Sequence, residues 1–258
     1  MMVDNLYEQI FKRKSFHLFR NIGNEKISPD EIEAIYKKFA TFTPLCEDIK
    51  VEMKIVDNGE TNCKRGQEYC VMFYSEKKDH YLQNIGFLGE QLDLYLASVN
   101  IGALWYGIGK TDEKSYHGLD FVIMIAIAKV DDEEKFRKDM FKSKRKSIEE
   151  IWEGDIIPNV TELVRFAPSA CNTQPWYVEH EDDKIKIYRY QEPGKRGIMP
   201  ANKVSYYNQI DIGIFLCFLE LCLQHEKIEF DRELSNTDNN IKFERKIPVA
   251  TYQLSGIS

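Results

Sequence analysis

Residues 167–176 read Ala-Pro-Ser-Ala-Cys-Asn-Thr-Gln-Pro-Trp, and the reading of this decapeptide decides that of the rest. It follows a run with apolar residues at Val160, Leu163, Val164 and Phe166, which has helical spacing, and precedes the strand-like Trp176-Tyr177-Val178. It therefore lies where a helix ends and a strand begins, and Pro168 supplies the stop. Ala167, Ser169 and Ala170 are small enough for a flat ligand to approach the backbone. The hydroxyl of Ser169 and the amides of Asn172 and Gln174 can donate or accept hydrogen bonds to ring heteroatoms. Read from residues alone, the segment also fits an ordinary helix-to-strand turn with a polar cap.

Downstream of this turn the pattern predicts strands over 176–181 and 184–190 with a turn at Asp182-Asp183 between them. A Gly/Pro loop over 191–200 leads to a long apolar helix from about 205 to 224, and 249–254 reads as a last strand. Upstream, 158–166 reads as a helix, and the densely charged stretch 131–150 reads as a surface crossing or a solvated helix face. Before it, 121–130 is almost wholly apolar and β-branched, as expected of a central strand covered on both faces. The stretch 79–100 has helical spacing, with Gly102 as its expected stop, and 51–55 and 70–75 read as strands. Ser28-Pro29-Asp30-Glu31 is a helix start: Ser28 caps, Pro29 occupies the first turn, and Glu31 can close a capping box. Residues 3–12 read as a short first helix.

The chain has 258 residues, enough for one large core or two smaller ones. Its composition, 43% hydrophobic and 30% charged, is that of a globular protein. A net charge of −7 argues against a general nucleic-acid footprint. The six cysteines contain no Cys-x-x-Cys pair and the five histidines show no ligand spacing, so neither a metal site nor a disulfide framework is expected. The first residues carry Asp4 and Glu8 and lack the apolar core of a signal peptide. Of the longest apolar stretches, 121–128 is too short to span a bilayer, and 210–223 contains Asp211 and Glu220. The expectation is a cytoplasmic protein with reduced thiols and no membrane or nucleic-acid partner.

Two halves echo each other, 1–140 and 141–258, each with a short helix, strands and a long buried helix that carries an early glycine, Gly86 or Gly213. The word Lys12-Arg13-Lys14-Ser15 recurs as Lys144-Arg145-Lys146-Ser147, 132 residues later, close to half the chain. Duplication is the better explanation of the matched order. Arg13-Lys14-Ser15 fits either a phosphate-binding turn or a solvated basic turn. The segment 102–110, Gly-Ala-Leu-Trp-Tyr-Gly-Ile-Gly-Lys, fits either a glycine-rich link or a stretch whose exposed amides face an aromatic ring.

The word 167–176, with Asn172, Gln174, Pro175 and Trp176 in register, resembles the flavin-contacting segment of the nitroreductase family. The resemblance extends, less specifically, from about residue 13 to 228. It implies an α+β fold with a mixed central sheet flanked by helices, and FMN as cofactor. It places Arg13 and Ser15, with Lys14 beside them, at the flavin phosphate and ribityl chain. Gly107 and Ile108 would lie against the ring near N5, although Trp105 stands two residues earlier than in the family pattern. Arg145, in a basic segment like the family's closing one, would reach the phosphate; the repeat instead makes that segment the opening of the second half. Pro168, Ser169, Ala170, Asn172 and Gln174 would contact the flavin.

In such proteins two identical subunits build two flavin sites. Here the matching place, 41–47, lacks the small-residue word and carries Glu47. The implied molecule is a monomer acting as an internal pseudo-dimer, with one intact site and one degenerate, like the divergent single-chain branch of the family. Its implied reaction passes electrons from NAD(P)H through FMN to a nitroaromatic, quinone or similar acceptor, and no side chain is assigned as acid or base. The alternatives are a catalytically idle protein that holds FMN or another planar ligand, and another flavin reaction such as enone reduction or dehalogenation. Substrate choice would lie in the loop 191–205.

Overall fold

The computed structural model describes residues 2–191, 197–235 and 245–255. The chain forms two compact units, Glu8–Met140, and Phe141–Ser258 together with Met1–Tyr7. The expected first half is thereby corrected at its start: the first seven residues group with the second unit, and helix α1 (Met2–Lys12) runs from one unit into the other.

In the unit Glu8–Met140, α2 (Pro29–Phe39) begins as its sequence directs. Ser28 Oγ accepts from the Glu31 backbone N–H at 3.2 Å, and the Glu31 carboxylate accepts from the Ser28 N–H at 2.9 Å. Strands β1 (Val51–Asp57) and β2 (Tyr69–Ser75) lead to the long helix α3 (Tyr81–Ser98). Strands β3 (Ile101–Tyr106), β4 (Ser115–Tyr116) and β5 (Leu119–Lys129) follow. The sheet order is β1-β2-β5-β3 with β4 on β5, all antiparallel. β5 is the central strand that its apolar run predicts: Met124, Ile125, Ala126, Ile127 and Ala128 are fully buried.

Helix α3 is buried nearly throughout, and a side chain at Gly89 would overlap the Trp105 ring. Its stop is Asn100, at φ +58°, and not Gly102. Gly102 is a strand residue whose added Cβ would fall 2.9 Å from Phe16.

In the other unit, α4 (Ile148–Ile151), β6 (Trp152–Gly154), α5 (Val160–Val164), β7 (Trp176–Glu181) and β8 (Lys184–Tyr190) precede α6 (Val204–His225). Strands β9 (Glu229–Leu234) and β10 (Lys246–Ser255) close the unit. The order is β6-β7-β8-β10-β9, with β6 parallel to β7 and every other pair antiparallel. The single mixed sheet expected from sequence is thus two five-stranded sheets, one per unit, of which one is mixed. Helix α6 carries the core, and Trp176 stacks on its Phe215 with ring centroids 5.0 Å apart. The stretch Ala201–His225 is long and apolar enough to cross a membrane, but 83% of its apolar window is buried inside the fold, which accounts for its composition.

Candidate functional site

Helix α5 ends with Phe166 and Ala167 bonded back to Leu163 and Val164 at 3.0 and 3.2 Å. Pro168 is buried and the chain turns. Ser169 and Ala170 are half-buried, Cys171 and Asn172 exposed, and Thr173 and Gln174 buried again. Three residues of this turn that are not glycine lie in the left-handed region: Cys171 (φ +51°), Asn172 (φ +55°) and Gln174 (φ +48°). Such conformations cost about 1–3 kcal/mol each and persist only where the surroundings impose them.

The surroundings are explicit. From α6, Asp211 Oδ1 accepts from the Ala170 N–H at 2.9 Å, and Asn208 Oδ1 accepts from the Thr173 hydroxyl at 3.3 Å. Within the turn, Ser169 Oγ accepts from the Gln174 N–H at 3.0 Å. From the other side comes the basic word. Arg145 donates to Asn172 Oδ1 at 3.0 Å and to the Phe166 carbonyl at 3.2 Å. Asn172 Nδ2 donates to the Lys144 carbonyl at 3.1 Å. The Lys146 N–H donates to Gln174 Oε1 at 2.8 Å and its ammonium to the Gln174 carbonyl at 2.9 Å. Two stretches singled out in sequence are therefore one structure, and Lys144–Ser147 opens the second unit, where Ser147 starts α4.

Asn172 and Gln174 use their amides to brace the turn, while Ser169 and Ala170 are half-buried. Burial pushes the Asp211 carboxyl up to about 8, and burial likewise lowers the Lys146 ammonium against the opposing pull of Glu150.

Arg13 is not a solvated residue: only 2% of it is exposed, and Nε donates to Asp93 Oδ2 at 2.8 Å. Its Nη2 donates to Ser15 Oγ at 3.1 Å, and Glu90 Oε1 lies 3.5 Å from Nε. Burial raises the Glu90 carboxyl well above the carboxylate range, and Trp105 Nε1 donates to it at 3.1 Å. Burial and the charge of Arg13 push the nearby Arg137 down to about 10. Lys14 is exposed and donates to the Lys135 carbonyl at 2.8 Å. Gly107 and Ile108 follow β3 in a turn. The segment before them pairs with β5, so its amides are not an open row, while Ile108 itself is 47% exposed.

Sequence reasoning passed over Asp93, Asn208 and Asp211. Their signal was present: a polar residue inside a long apolar helix has to be bonded to something. The two long helices share the device. Asn84 Oδ1, two residues before Gly86, accepts from the N–H groups of Leu45 and Cys46 at 2.8 and 3.1 Å. Asp211 stands two residues before Gly213 and holds Ala170 in the same way.

The model of the family described as "Putative TM nitroreductase" matches residues 5–223. The chain belongs to this nitroreductase family. Among solved structures it is similar to one titled a putative nitroreductase from Thermotoga maritima MSB8, at 18% identity and a TM-score of 0.61, covering 97% of this chain and 93% of that one. That likeness shows a shared nitroreductase fold. A structure from Desulfovibrio desulfuricans, titled a putative nitroreductase in complex with FMN, aligns at 15% identity and a TM-score of 0.42, over 59% of this chain and 98% of that one. No curated protein matches the sequence.

Proposed function

We propose that this nitroreductase-like oxidoreductase is FMN-dependent, taking electrons from NAD(P)H and passing them to a nitroaromatic, quinone or similar small acceptor. The observation that carries the reading is the turn 168–174, with its three left-handed residues fixed from both sides by Asp211 and by Lys144–Lys146. Strain maintained at such cost is characteristic of a ligand-binding turn. The residues fit a flavin at this turn. Ser169 and Ala170 would lie against the ring, and Arg145 and Lys146 supply positive charge for its phosphate. FMN, when bound, supplies the hydride and electron chemistry. The chain's part is to place the ring, to offer the Ser169 hydroxyl as a donor, and to keep the turn rigid through Asp211. We further propose that the two units are related by duplication, which the shared Asn84 and Asp211 device supports, and that a single chain is the working molecule in the cytoplasm.

A catalytically idle flavin-binding protein is the second reading. It is favoured by Arg13, whose charge Asp93 already balances. The absorption spectrum of the purified chain tests the first claim: a flavin band near 450 nm is expected. Bleaching by NAD(P)H and recovery on adding a quinone tests the second. A yellow protein that NAD(P)H does not bleach is a store and not an enzyme.

A further inference from the structure

Arg189, at the end of β8, is 92% buried, being 8% exposed, yet its guanidinium makes no ion pair or hydrogen bond with any described residue, and Nη1 is wholly enclosed without a partner. Burial alone acts on it, lowering its pKa, with no carboxylate to offset the cost. Among the described residues the other buried arginine, Arg13, is matched by Asp93, and the half-buried Arg232 is matched by Glu220. An unmatched one calls for an explanation.

Its neighbours are unmatched in the same sense. Directly across the ladder from Arg189 is Trp176, on the same inward face of the sheet, and the indole Nε1 of Trp176 is also buried without a partner. Trp176 stacks on Phe215 of α6. Two turns earlier on the same stripe of that helix is Asn208, fully buried, whose Nδ2 has no acceptor although its Oδ1 is bonded to Thr173. Three orphaned groups in one layer between α6 and the sheet are all donors, and one carries a full positive charge.

We propose that Arg189, with the indole N–H of Trp176 beside it and the amide of Asn208, binds an oxyanion, a phosphate or carboxylate carried by a small molecule. Planar guanidinium and carboxylate or phosphate groups match in two parallel hydrogen bonds, and an enclosed site strengthens each of them. The anion could be the phosphate of a flavin held at the turn that leads into Trp176, or it could belong to a separate acidic substrate. The inference itself stands whether or not a flavin binds.

The chain has three tryptophans, and their indole N–H groups differ. Trp105 donates to Glu90 at 3.1 Å and Trp152 to the Asp155 carbonyl at 2.7 Å, whereas Trp176 donates to no described residue. In the full chain labelled with 15N-tryptophan, the Trp176 indole resonance, assigned with Trp176→Phe, is expected to move on addition of an anion while the other two stay. Inorganic phosphate, benzoate, FMN and riboflavin are added separately at constant ionic strength, with flavin binding followed independently by absorbance. Movement with FMN but not riboflavin identifies the flavin phosphate. Movement with phosphate or benzoate on the FMN-saturated chain identifies a separate acidic ligand. Arg189→Gln is expected to weaken the responding anion at least tenfold, and Arg189→Lys to restore part of the loss. A Trp176 resonance indifferent to all four probes overturns the proposal, as does an Arg189→Gln chain that responds like the parent. Water alone then fills the layer.

Discussion

A guanidinium beside a hydroxyl suits a phosphate in the open and a carboxylate in the core, and Arg13 is in the core. The sequence shows the pair of groups but not the depth at which they lie, because the acid that claims Arg13 is Asp93, eighty positions away. Removing the arginine leaves a buried carboxylate unmatched, so Arg13→Ala is expected to cost about 3–5 kcal/mol of stability. Urea unfolding at neutral pH measures this, and a loss below about 1 kcal/mol would show the ion pair to be dispensable. Ala170 behaves differently. It is half-buried in the turn, so Ala170→Leu is expected to expel a flavin while sparing the fold. Far-ultraviolet circular dichroism should remain unchanged while flavin fluorescence shows no binding. Retained binding with parent affinity would make this a structural turn and remove the main support for the flavin reading.

Elements were legible where one pattern determined them. Strands β7 and β8 start and end where alternation places them, and α2 begins at its capping box. The misses have physical causes. β9 reads Glu-Phe-Asp-Arg-Glu-Leu, too charged to suggest a strand, because it is an edge strand with one face in solvent. β3 reads in sequence as part of a glycine-rich link, because Gly102 is there to accommodate Phe16, a contact no local pattern reveals. In α6 the buried acid Asp211 predicts a pH effect. With its carboxyl pushed up to about 8, the folded chain keeps a proton that the unfolded chain releases near pH ~4. The stability contributed by the neutral acid is complete below that pH and is lost as pH rises to about 8. Asp211→Asn cannot titrate. The melting temperature of the parent should therefore fall relative to the variant between pH 5 and 8, then run parallel above 9. Parallel curves over the whole range would mean the acid is ionised in the fold.

For the whole molecule, the small-residue word occurs once, and the corresponding stretch near Leu45 and Cys46 is held by Asn84 without it. One FMN per chain is therefore expected after reconstitution, counted by absorbance against protein concentration. A ratio near two would mean that 41–47 also forms a working site. The division at 140/141 coincides with the charged stretch that the sequence marks as a crossing. That residues 1–7 group with the second unit was not legible, because nothing local to them announces a partner more than two hundred positions later. The loop 191–205, read as the seat of substrate choice, is in part outside the described residues, at 192–196.

Tyr7 lies flat on His225, ring centroids 3.6 Å apart and 7° from parallel, at the far end of α6. A ribosome makes these two residues more than two hundred positions apart. At about 5–20 residues per second, the tyrosine leaves the tunnel roughly 10–40 s before the histidine is polymerised. The unit Glu8–Met140 is completed within that interval, while Leu6 and Tyr7 still lack the later residues of their own unit. Birth order and final neighbourhood are therefore opposed at the first helix. Tyr7 is made long before the residue it stacks on, and it lacks that partner until α6 is complete.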